Sequence, residues 1–140
     1  MKKILVAVDG SEGSLKAVAL AAELSRLSDV PLRVTHVVAE PAYVPSLYAD
    51  TLEKILREAQ RHSEEVVDHA ARMAEGRGAR CERVSLSGPV AETVVREAEH
   101  PDIWMVAVGS HGRNPVARVL LGSVADRVVH TCPKPVLVVK

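Results

Sequence analysis

Short runs of strand character alternate along this chain with stretches whose apolar residues recur at helical spacing, and that alternation leaves few folds open. The runs are Lys3–Val8, Leu32–Val38, Arg80–Leu86, Ile103–Val108 and Pro135–Val139. Between them, Ser11 stands where a helix N-cap belongs, ahead of a helix running to about Ser28 with Leu15, Val18, Ala19 and Ala22 on one face. A second helix is expected over Thr51–Glu75, its face traced by Leu52, Ile55, Leu56, Ala59, Ser63, Val66, Val67 and Ala70. A third follows Ser87-Gly88-Pro89 with Ala91, Val94, Val95 and Ala98 inward, and a fourth ends near His130. Strands alternating with helices imply right-handed crossovers, hence a parallel sheet covered by helices on both faces. Arg80–Leu86 alternates polar and apolar residues, as a half-exposed edge strand does, whereas Ile103–Val108 is apolar throughout and belongs inside the sheet. Residues 1–140 are read as one α/β domain.

Composition narrows the function. Hydrophobic residues make up 47% and charged residues 26%, with a formal net charge of zero. No cluster of Lys and Arg forms a stripe, which argues against a nucleic-acid partner, and no apolar run approaches the length of a membrane span. The opening MKKILVAVDG reads as a first strand of a cytoplasmic protein rather than a leader, because its apolar segment is short and ends at Asp9. Cys81 and Cys132 lack CxxC partners and read as ordinary thiols. Glu40–Asp50, with Pro41, Tyr43, Pro45 and Tyr48, reads as a surface loop.

In an open α/β sheet, ligands sit beyond the carboxyl ends of the strands, where strand order reverses. Two carboxyl-end loops carry suggestive residues. One is Asp9-Gly10-Ser11. The other lies within Ala107–Arg127, AVGSHGRNPVARVLLGSVADR, with Gly109, Gly112 and Gly122 ahead of Ser123. Glycines let backbone N–H groups approach a phosphate, and a helix start adds free donors and a favourable dipole. The same glycines also serve turns, and Ser123 with Asp126 matches a Ser-x-x-Asp capping box. There is neither a GxxxxGK[ST] sequence nor a GxGxxG after the first strand. An acidic cluster around Asp9, which a phosphoacceptor domain needs, is also missing.

Taken together, VAVDGSE, the Gly109-x2-Gly112-x9-Gly122-Ser123 spacing, RVLLGSVADRVV and the terminal CPKPVLVV resemble the universal stress protein family over essentially the whole chain. The resemblance implies a Rossmann-like fold, similar to the adenine nucleotide alpha hydrolases, with a five-stranded parallel sheet of order 3-2-1-4-5. It also implies a site for ATP, or ADP or AMP. In that site Asp9 meets the ribose and the Val37 backbone meets the adenine. Gly109 lies against the ribose and first phosphate, and Gly112, Gly122 and Ser123 hold phosphates carrying Mg²⁺ or Mn²⁺. His111 and Arg113 are further candidates at the phosphates. Asn114-Pro115 departs from the Ser-Gly common in relatives, and Pro115 removes a donor.

Other residues have plainer readings. Arg118 suits covering apolar surface, and His62 with Asp68-His69 suits a solvated helix face, with no metal site expected. No catalytic residue is expected either: Ser11 and Ser123 read as caps, and nothing is placed to activate water, so hydrolysis is slow at most. The apolar Val136–Val139 strand at the sheet edge predicts a two-fold homodimer by antiparallel pairing. The chain is thus expected to be a nucleotide-binding dimeric regulator with a protein partner that its residues do not reveal. The alternatives are a nucleotide-independent interaction module or a slow ATPase.

Overall fold

The computed structural model describes residues 1–40, 48–111 and 121–140. The surface-loop expectation for Glu40–Asp50, including Tyr43, falls mostly outside them, as do Gly112, Arg113, Asn114-Pro115 and Arg118.

The chain runs β1 (Lys3–Ala7), α1 (Glu12–Ser28), β2 (Leu32–Val38), α2 (Ala49–Glu75), β3 (Cys81–Ser87), α3 (Val90–Ala98), β4 (Ile103–Gly109), α4 (Ser123–Thr131) and β5 (Val136–Val139). All strand pairs are parallel, in the order β3-β2-β1-β4-β5. β1 is buried on both faces, as a chain of Ile4, Leu5 and Val6 at the centre of a doubly covered sheet demands.

Strand alternation sends successive side chains to opposite layers. Ile4, Val6, Leu32 and Val34 pack with Val18, Ala21 and Ala22 of α1 and Val67, Ala70 and Ala74 of α2. Leu5, Val37, Val106 and Val108 pack with Ala91, Val94 and Ala98 of α3 and with Ala125 and Val128 of α4. Alanines dominate the helix faces against the sheet, which lets the helices sit close on a sheet rich in branched residues.

Helix ends follow local chemistry. Ser11 caps α1 as expected: its Oγ accepts the Ser14 N–H at 3.2 Å. Asp29 ends that helix in the left-handed conformation, φ 55°, its N–H bonded to the Ser25 carbonyl.

Three expectations are corrected. The Ser-x-x-Asp capping box at α4 does not form, because Gly122 takes the N-cap and Ser123 is the first helical residue. The Gly122 N–H donates to the Ser110 carbonyl at 2.6 Å, which pins the chain there and starts the helix with no side-chain cap. The face assigned to α2 is wrong at its N-terminal end: Ile55 is 58% and Leu56 41% exposed, while burial is concentrated from Ser63 to Ala74. A helix of 27 residues is about 40 Å long, whereas the 7-residue β2 spans about 23 Å, so the first turns of α2 run past the sheet. Trp104, assigned to a buried strand, is also 40% exposed.

The amino ends of the strands are tied by charge. Arg33 at the start of β2 is nearly buried and donates to Glu82 at 2.8 Å, Glu97 at 2.7 Å and Asp102 at 3.2 Å. Lys3 adds an ion pair to Asp102 at 2.9 Å. This network joins β1, β2, β3, α3 and the entrance to β4, and leaves the opposite end of the sheet for other work.

Candidate functional site

That opposite end holds a cleft of about 270 Å³ at the carboxyl ends of β1, β2 and β4. β1 and β4 are neighbours, so their loops meet there: Asp9 and Ser11 from one, Gly109 and His111 from the other. Gly122 and Ser123 at the start of α4 line the same space. Of the sequence-derived candidates, Asp9, Val37, Gly109, His111, Gly122 and Ser123 therefore share one cleft. Gly112 and Arg113 lie outside the described residues.

The first loop is a tight turn. Gly10 has φ 82°, a conformation that favours glycine, and the Asp9 Oδ1 accepts the Ser11 N–H at 2.9 Å. Ser14 closes it from the helix: its Oγ receives the Asp9 N–H at 3.3 Å and donates to the Ser11 carbonyl at 3.0 Å. The Asp9 carboxylate is thus oriented by the turn itself.

The second loop is anchored by Ser110, a residue the sequence analysis passed over. Its N–H donates to the Val139 carbonyl at 2.8 Å and its carbonyl accepts the Gly122 N–H, so β5 and α4 are both hung on it. Gly13 was also missed. A Cβ on Gly13 would lie 2.5 Å from the His111 carbonyl oxygen, and one on Gly109 would lie 2.7 Å from the Gly13 backbone. The glycine at 109 is therefore demanded by helix-to-loop contact, whatever occupies the cleft. Nothing in sequence spacing links positions 13 and 109; only the packing of α1 against β4 does.

The walls divide by polarity. Val37, Val90, Val94, Val108 and Val124 make an apolar flank between β2, α3 and α4. Asp9, Ser11, Ser14, Thr35 and His36 form the polar part. His36 Nδ1 is 2.7 Å from Ser63 Oγ, which is 2.5 Å from Ser85 Oγ, so the fully buried Ser63 has partners on both sides. His111 Nδ1 lies 3.1 Å from Ser110 Oγ. Ser63 does not line the cleft and stands behind His36. Both Ser–His pairs hold imidazoles in place.

Chemically, an apolar slot, an oriented carboxylate and a helix start without a side-chain cap suit a ligand that is flat and apolar at one end and anionic at the other. Among the described residues, no Lys or Arg lines the cleft. The thiols stand apart from it: Cys81 and Cys132 are both free, and burial pushes Cys81 up to about 11, which makes it an inert thiol at neutral pH. His62 lies edge-on to His36 at 6.4 Å, and Asp68 is paired with Arg72 and Arg83.

The family model described as the universal stress protein family matches residues 1–140. The chain belongs to the universal stress protein family. A universal stress protein of Methanocaldococcus jannaschii is 32% identical, over 99% of this chain and 82% of its own length. Among solved structures, the universal stress protein UspA from Lactobacillus plantarum superposes with a TM-score of 0.87 at 25% identity, covering 99% of this chain and 97% of its own. The universal stress protein from Archaeoglobus fulgidus in complex with dAMP has a TM-score of 0.72 at 26% identity, covering 100% of this chain and 98% of its own. The universal stress fold, with strand order 3-2-1-4-5, is thus the fold of this chain.

Proposed function

We propose that this universal stress protein acts as one domain that binds an adenine nucleotide, with ATP preferred over ADP and AMP, in the cleft between β1, β4 and α4. The observation that carries the reading is the convergence of Asp9, Gly109, Gly122 and Ser123 on one cleft with a valine-lined flank. A relative of the same fold in complex with dAMP supports it. The base takes the flank near Val37 and the ribose lies by Asp9. The phosphates, with Mg²⁺ or Mn²⁺ neutralising their charge, face the first turn of α4, whose donors and dipole favour anions. Bound nucleotide biases conformation and partner choice rather than serving as a fuel. The receiving protein is a regulatory partner in the cytoplasm.

Titration calorimetry with ATP and Mg²⁺ on the wild type and on Gly122→Val tests this. Gly122 has φ −60° and ψ 156°, which Val adopts without strain, so the variant folds while its branched side chain narrows the phosphate end. Saturable binding by the wild type and at least tenfold weaker binding by the variant are expected. A wild type that binds no nucleotide leaves an interaction module in its place.

Assembly is the second part. β5 is an edge strand of four apolar residues, Val136–Val139, each only partly covered. Such an edge invites strand pairing, and we assign it the two-fold homodimer contact. Sedimentation is expected to give a dimer at micromolar concentration and a monomer when Val138 is replaced by proline; a wild-type monomer contradicts the assignment.

A further inference from the structure

Thr35 stands out on β2. Strand alternation puts it on the face of Val37, under the α3–α4 layer, and it lines the cleft below the valine flank. It is fully buried, and its Oγ1 has no hydrogen-bond partner among the described residues. Its polar neighbours on the strand are satisfied: Arg33 by three carboxylates and His36 by Ser63. A valine would fill nearly the same volume without burying an unpaired hydroxyl, which is costly in an apolar setting. The hydroxyl therefore works against the empty fold and suits a partner brought by a ligand.

We infer that Thr35 reads the base: its hydroxyl hydrogen-bonds the polar edge of a heteroaromatic ring held among Val37, Val94 and Val108. The inference rests on the nucleotide reading above and adds to it which side chain recognises the ring. A flat ring buries its faces on valines but carries nitrogen at its edge, and that edge needs a partner inside the slot. A hydroxyl both donates and accepts, so it serves a ring nitrogen or an exocyclic amino group. The phosphates belong elsewhere, at the α4 start. A site that pairs a buried polar group only when the right ligand is present discriminates more sharply than apolar contact does.

The test is titration calorimetry with Mg-ATP and with adenosine on the wild type, Thr35→Val and Thr35→Ser, together with ligand-free melting. Thr35→Val is expected to bind both ligands about 10-fold more weakly, or ~1.4 kcal/mol. Thr35→Ser, which keeps the hydroxyl, stays within about 3-fold. Ligand-free Thr35→Val melts no lower than the wild type, because it loses only an unpaired group. Unchanged ATP affinity in Thr35→Val overturns the inference, as does equal weakening in both variants. So does a loss for ATP with none for adenosine, or a lower melting temperature for ligand-free Thr35→Val. Failure of the wild type to bind ATP is read from that protein alone; it overturns the nucleotide reading and the inference with it.

Discussion

Gly109 and Gly13 show how much of the site is decided by contacts between single backbone atoms. The Gly109 Cα faces the Gly13 carbonyl so closely that a methyl group would stand 2.7 Å from it, and both atoms belong to regular elements with no flexible side chain to give way. Gly109→Ala is therefore expected to destabilise the fold by about 2 kcal/mol, the usual scale of overpacking, in urea unfolding. A change below about 0.5 kcal/mol would show that α1 slides away freely. Asp9, Gly109 and Ser123 were legible as candidates because βαβ order alone brings their loops to one end of a parallel sheet. Gly13, Ser110 and Thr35 were not, since each owes its role to a partner on another element: the His111 carbonyl, the Gly122 N–H and the valine flank. Gly13 and Thr35 read locally as an unremarkable helix glycine and a good strand former.

The elements themselves were largely written in the sequence. Caps, glycines and periodicity set α1, β2, β3 and β4 to within a residue or so. What failed was anything that depends on where a neighbour ends. The α2 face was right in angle but wrong in extent, because periodicity reports which side a residue faces and not whether a sheet still lies beneath it. The α4 cap failed for a related reason: Ser123 has the right chemistry, but the Ser110–Gly122 hydrogen bond starts the helix one residue earlier than a Ser123 cap requires. The two serines accordingly predict different outcomes. Ser11→Ala removes a cap that receives the Ser14 N–H and should cost about 1 kcal/mol in urea unfolding. Ser123→Ala should cost less than about 0.5 kcal/mol, because no cap is lost. Equal losses at the two sites would restore the capping box.

At the scale of the whole molecule, the two ends of the sheet divide the labour. The amino ends are clamped by Arg33 and Lys3 against Glu82, Glu97 and Asp102, while the carboxyl ends open into the cleft. The hydrogen bond from Arg33 holds the Glu82 carboxyl below its ordinary range, and the one from Lys3 does the same for Asp102. Lowered carboxylate values in the folded state mean that this stabilisation is complete above the ordinary range, near pH 4, and is lost as pH falls through the lowered values. Arg33→Met strands three carboxylates around one lysine and should cost about 2 kcal/mol at pH 7, part of the buried-pair scale being discounted for the exposure of Glu82. Its stability should then rise between pH 7 and pH 4, where the wild type holds level; parallel pH profiles for the two proteins would refute the clamp. With one end locked, ligand effects should be confined to the other. Amide hydrogen exchange with and without Mg-ATP measures that directly. Slowed exchange is expected at residues 9–11, 35–38, 109–111 and 122–126, with little change around Lys3, Arg33 and Glu82. Exchange unaltered in those four segments, or slowed only at the clamped end, would contradict a nucleotide site in this cleft.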